Sequence, residues 1–137
     1  MNERKNVLGV YISFFDKVEI LDAIQYCITT DNKMIVLSGN IYSLNLAYQQ
    51  EWLRNFFNQA DIVCLDGAGV KIGASILGYK ILSRITWADF TWILAEYAKR
   101  HGFTFFFLGA SPDVAAKAAA NLKVRLPDMY IVGIHHG

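Results

Sequence analysis

Short apolar runs alternate with helix-period segments along the whole chain. Val7 to Ser13 (VLGVYIS) opens as a β-rich run. Asp16 with Glu19 three residues on forms a helix-capping pair, and Val18, Leu21, Ile24 and Ile28 recur at helical spacing as the expected buried face. Lys33 to Leu37 reads as an inner strand, interrupted by Ser38-Gly39-Asn40. Helices over Ile41 to Gln50 and Glu51 to Asn58 follow, and then a wholly apolar strand, Ile62 to Leu65, which runs into Asp66-Gly67-Ala68-Gly69. Val70 to Leu77 predicts a helix stopped by Gly78, and Trp87 to Arg100 an amphipathic helix closed by His101-Gly102. Thr104 to Leu108 (TFFFL) reads as a third buried strand. Beyond it, Ser111 as N-cap and Pro112 in the first turn open an Ala-rich helix to Leu126. Pro127 breaks that helix, and Met129 to Ile134 is the last strand before His135-His136-Gly137.

Continuous apolar strands separated by helices predict a Rossmann-like α/β fold, a mostly parallel sheet with helices on both faces. Neither a repeat nor a linker divides residues 1–137, so a single domain is expected. In such sheets ligands bind beyond the carboxyl ends of the strands, which is where Ser38-Gly39-Asn40, Asp66-Gly67-Ala68-Gly69, Gly109-Ala110-Ser111 and His135-His136-Gly137 fall.

Composition narrows the function. The 137 residues are 54% hydrophobic and only 18% charged, enough apolar material for a core and more than a small sphere easily hides. Thirteen basic against twelve acidic residues leave a net charge of +1, which argues against a nucleic-acid binder that works by neutralising phosphates. The longest strongly apolar stretch, Phe103 to Ala110, is too short to span a bilayer, and the N-terminus lacks the apolar core of a secretory signal. Cys27 and Cys64 lack a CxxC spacing and read as buried free thiols.

Asp66 is the sharpest chemical candidate. A carboxylate directly after an apolar strand and before glycines suits a general base or an acceptor for a ligand hydroxyl, and equally a cap on the next helix. Ser38 and Asn40 can hydrogen-bond a sugar, with a plain helix cap the competing role for Asn40. Gly109 and Ala110 lead into a helix start whose amides and dipole favour a phosphate, in a turn that also serves as an ordinary connection. The Arg84 guanidinium fits a diphosphate, though a solvated surface arginine is the commoner fate. His135 and His136 point to opposite faces of an extended strand and make a poor metal pair, although one of them suits a phosphate or sugar. Trp87, Trp92 and Phe105-Phe106-Phe107 are expected in the core.

Taken in order, LGVYI, LSGN at 37–40, ADIVCLDGAGV at 60–70, SRITWADF at 83–90, FFFLGASPDVAAKAAANL at 105–122 and IVGIHHG at 131–137 resemble the bacterial WecG/TagA/CpsF glycosyltransferases, glycosyltransferase family 26. The resemblance implies an inverting transfer of N-acetylmannosamine or a related hexose from a UDP-sugar to a polyprenyl-diphosphate-linked sugar, in the synthesis of teichoic acid or other cell-surface polysaccharide. It implies no metal cofactor, and no DxD motif occurs in the chain. Carried over by motif, Asp66 is the implied catalytic base. Ser38 and Asn40 fall on a Thr-Pro-Asn segment in which Gly39 replaces the proline. Arg84 falls near the donor diphosphate, Gly109 and Ala110 on the UDP turn, and His136 and Gly137 on an HG pair. The family's members continue with a basic C-terminal segment that meets the membrane, so the chain is expected to lack that segment. A cytoplasmic protein peripheral to the inner face of the plasma membrane, homo-oligomeric, is expected. The competing reading is a non-catalytic nucleotide-binding or assembly module.

Overall fold

A computed structural model describes residues 4–76, 78, 79 and 85–137. The chain divides into two compact units, Met1–Phe90 and Thr91–Gly137, and the division falls inside a helix. Among the described residues, six strands and six helices alternate as an α/β fold of Rossmann-like type, with the strands in three two-stranded ladders.

The first unit opens on a hairpin, β1 (Arg4–Val7) and β2 (Val10–Ser13), paired antiparallel. The β-rich run Val7 to Ser13 thus holds the end of one strand, the turn and the whole of the next. Leu8 and Gly9 both take positive φ, 52° and 85°, the conformation of a two-residue turn whose twist matches that of its flanking strands. The Asn6 side chain accepts a hydrogen bond from Gly9 N–H and fastens the turn. Asn58 then grips the hairpin from outside: its Nδ2 donates to Gly9 O and its Oδ1 accepts from Tyr11 N–H.

Helix α1 (Lys17–Thr29) starts at the expected cap, with Asp16 accepting from Val18 and Glu19 amides and Glu19 accepting from Asp16 N–H. Its buried residues are Ile20 and Leu21. Val18 and Ile28, expected to be buried, are 62% and 49% exposed, so the covered stripe is narrower than the apolar periodicity.

Strand β3 (Val36–Gly39) pairs in parallel with β4 (Ile62–Leu65). Ser38 and Gly39 therefore belong to the strand, where an interruption is expected from sequence; the ladder partners Cys64 and Leu65 hold them extended. Between the strands lie α2 (Ile41–Gln49) and α3 (Glu51–Gln59). Side chains alternate along the ladder, so Leu37, Gly39, Val63 and Leu65 share one face. That face meets Val7, Val10, Ile12, Leu44, Ala47 and Phe57 in the main core. Each fully buried Val, Leu or Phe there contributes about 1.5–3 kcal/mol. Strand β2 lies beside β4, and Ser13 Oγ accepts from Val63 N–H. Helix α4 (Ala68–Ile76) follows β4, and Gly78, at φ 81°, lies just past it. Leu77, the expected last helical residue, lies outside the described residues.

The second unit is built from most of α5 (Trp87–His101), then β5 (Thr104–Leu108), α6 (Val114–Arg125) and β6 (Tyr130–His135). Its strands are parallel. Phe105, Phe107 and Ile131 pack with Ala95, Ala98, Leu122 and Met129 in a second core. The expectation of a wholly buried strand fails at β5, because its residues alternate: Phe106 and Leu108 are 59% and 73% exposed. Phe106 lies over Gly133, where an added Cβ would overlap its ring. Helix α6 begins at Val114, with Asp113 as N-cap in the left-handed region, two residues later than Ser111 and Pro112 predict. Ser111 O instead accepts from Val114 N–H and closes a turn ahead of the helix.

Candidate active site

Parallel pairing decides what meets at the carboxyl end of β3 and β4. Ser38 pairs with Cys64, and Asp66 lies two residues beyond Cys64, so all three share the face of the ladder opposite the main core. Asp66 N–H donates to Gly39 O at 3.1 Å, one more rung past the last strand residue. Ser38 Oγ donates to Asp66 Oδ2 at 3.3 Å, a long hydrogen bond between half-buried groups. Gly67 follows at φ 93°, a conformation that favours glycine, and nothing lies within 4 Å of the position a Cβ would occupy. The backbone after the half-buried carboxylate thus turns sharply.

Asn40 lies at the same strand end as the N-cap of α2. Its Oδ1 accepts from Ser43 N–H, and Ser43 Oγ accepts from Asn40 N–H, a reciprocal cap that fixes the start of the helix. Asn40 thereby fills the capping role that competes with sugar binding, through its carbonyl oxygen.

Cys64 forms the floor between Ser38 and the β4 terminus and is almost fully buried. Burial pushes its thiol up from an ordinary value of 9.0 to about 12. Cys27 is only half-buried, contrary to the expectation for it, and its thiol donates to Asn32 O. Iodoacetamide at pH 8 is therefore expected to label Cys27 in the folded protein and to spare Cys64 until denaturant is added, read by peptide mass spectrometry. Equal labelling rates would refute the buried, neutral thiol. The stability gained by keeping Cys64 protonated is complete below pH 9 and is lost as the pH rises through about 12.

In the second unit, Leu108 pairs with His135, and Gly109 N–H donates to His135 O at 2.9 Å. The structure thus brings Gly109 and His135 together and commits the Gly109 amide to the strand edge. Gly109, Ala110 and Asp113 all take positive φ, so the connection to α6 is tightly wound. The His135 and His136 rings stack with centroids 5.1 Å apart, where an extended strand would splay them. β6 ends at His135, and the alternation ends with it. Gly137 N–H donates to His135 Nδ1. Arg84 lies outside the described residues. Trp92 is half-buried beneath the Arg125 guanidinium, 4.7 Å from the ring centre. Among the described residues, no group of three or more His, Cys, Asp or Glu side chains could hold a metal ion, and no helix is long and apolar enough to cross a membrane.

Sequence reasoning singled out Asp66 and Ser38 separately. Their hydrogen bond, across 28 positions of sequence, follows only from the register of β3 on β4.

Comparison with known proteins adds one positive finding: the model of the glycosyl transferase WecG/TagA/CpsF family matches residues 5–137. No curated protein matches the chain significantly.

Proposed function

Because the chain belongs to the glycosyl transferase WecG/TagA/CpsF family, whose activity is glycosyl transfer in cell-surface polysaccharide synthesis, we propose that it moves N-acetylmannosamine or a related hexose from a UDP-sugar to a polyprenyl-diphosphate-linked sugar. The observation that carries this reading is the half-buried Asp66 carboxylate, held at the end of a buried strand by Ser38 and followed by a glycine turn.

Asp66 acts as general base. Ser38 occupies Oδ2, so the acceptor's hydroxyl proton passes to Oδ1. The acceptor oxygen forms a bond to the anomeric carbon as the bond from that carbon to the diphosphate oxygen breaks. UDP leaves with the electron pair, and attack opposite the leaving group inverts the centre. Arg84 and the Gly109-Ala110 turn are assigned to the donor diphosphate, which suits a guanidinium and the positive end of a helix. With the Gly109 amide taken by His135, the turn's contribution falls to the start of α6. Asn40, through its amide nitrogen, and His136 with Gly137 are assigned to the donor sugar and nucleotide. No metal takes part in this scheme. The acceptor's lipid places the reaction at the inner face of the plasma membrane, with the protein peripheral and homo-oligomeric, and teichoic acid or a related surface polymer as the product.

The test supplies full-length protein with a panel of UDP-sugars and a short-chain lipid-diphosphate-N-acetylglucosamine acceptor. Sugar transfer is expected, fastest with UDP-N-acetylmannosamine and undiminished by chelator. UDP binding without transfer from any donor would overturn the reading in favour of a nucleotide-binding module.

A further inference from the structure

We propose that Ser38 is a positioning residue for Asp66 and not a contact to the donor sugar. The inference rests on the reading of Asp66 as general base and assigns Ser38 a role within it.

A serine hydroxyl has one proton to give. In this structure that proton is directed to Asp66 Oδ2, which leaves Oγ only its lone pairs for any other partner. The two residues meet because the parallel register of β3 and β4 puts Ser38 opposite Cys64, one same-face step before Asp66. The backbone at both ends of the hydrogen bond is fixed. Ser38 lies inside the ladder, and Asp66 N–H is tied to Gly39 O, the residue next to Ser38. What the backbone leaves undetermined is the rotation of the Asp66 side chain, since Asp66 lies one residue past the end of β4, outside the ladder. A donor on a strand is the device that sets this rotation. It fixes Oδ2 toward β3 and leaves Oδ1 to the acceptor hydroxyl. The neutral Cys64 thiol below brings no charge to compete for either oxygen. The 3.3 Å separation is long for such a bond, and catalytic hydrogen bonds commonly tighten when substrate binds. Misplacement of a reacting group by about 1 Å can cost 100-fold in rate, so a group that sets only the angle of the base has a measurable effect.

The test is a kinetic double-mutant cycle with UDP-N-acetylmannosamine and the lipid-diphosphate acceptor on full-length protein. Ser38→Ala is expected to lower kcat roughly 10- to 100-fold with the donor KM unchanged. Ser38→Thr, which keeps the hydroxyl, should stay within about 2-fold of the parent. In an Asp66→Asn background the same Ser38→Ala change should alter the residual rate less than about 2-fold, because the group it serves is gone. An equal loss in both backgrounds, or a loss confined to donor KM, would overturn the positioning role and leave the base reading standing. Parental activity in Asp66→Asn alone would overturn both. Circular dichroism melts of each variant separate these outcomes from a loss of folded protein.

Discussion

Asp66→Asn is expected to lower the turnover of sugar transfer by roughly 100- to 10,000-fold, the range that a general base contributes. This corresponds to about 3–5 kcal/mol of transition-state stabilisation. The substitution is nearly isosteric, and the amide oxygen of Asn can still accept from Ser38. Folding should therefore change by no more than about 0.5 kcal/mol. The Asp66 N–H bond to Gly39 O comes from the backbone and survives the change. UDP affinity, measured by calorimetry, should also hold, because no part of the proposed diphosphate site includes the carboxylate. The signature is thus a collapse of kcat at unchanged donor affinity and unchanged melting temperature. A variant that transfers sugar at the parental rate would remove Asp66 from the chemistry. A variant that loses UDP binding would show that the carboxylate holds the donor and does not take the proton.

How far the sequence alone leads depends on which force sets each boundary. β4 and β5 are found at their expected residues, since Ile62–Leu65 and Thr104–Leu108 are apolar runs between polar or glycine breaks. The cap at Asp16 is equally legible because its chemistry is local. Where boundaries answer to distant partners, the local signal misleads. Ser38 and Gly39 look like a break, yet the ladder with Cys64 and Leu65 holds them in β3. Val7 to Ser13 reads only as a β-rich run because the hairpin turn inside it uses Leu8, an apolar residue at positive φ, and not the asparagine or aspartate that would announce a hairpin. Its first strand, Arg4–Val7, is mostly polar and sends no strand signal; the Arg4 guanidinium instead donates to the carbonyls of Ala60 and Asp61. The site follows the same rule. Asp66 stands out through its immediate neighbours, whereas its link to Ser38 is a product of strand register. Arg84 lies outside the described residues, and its assignment rests on the chemistry of a guanidinium facing a diphosphate.

The contrast between periodicity and burial yields the second large effect. Leu44→Ala should destabilise the protein by about 2–5 kcal/mol. Leu44 is wholly buried in the main core, and its Cδ2 lies 3.5 Å from where a Cβ on Gly39 would sit, so it packs beneath the strand end that carries the site. Its truncation leaves a void that α2, tied down by the Asn40 cap, has little freedom to fill. Val18→Ala removes an apolar side chain of similar size from the first turn of α1, where sequence periodicity alone would place it in the core. Because Val18 is exposed, the loss should stay within about 0.5 kcal/mol, and the better helix propensity of alanine can make it a small gain. Urea titration followed by circular dichroism compares the two directly. If both variants lost several kcal/mol, α1 would be buried in solution along the stripe that the sequence pattern marks. If neither did, Leu44 would not be the wedge beneath Gly39. The same pair of variants bears on activity: a void under Gly39 loosens the rung that holds the Asp66 amide, so transfer should fall in Leu44→Ala even at temperatures where the variant remains folded, while Val18→Ala keeps the parental rate.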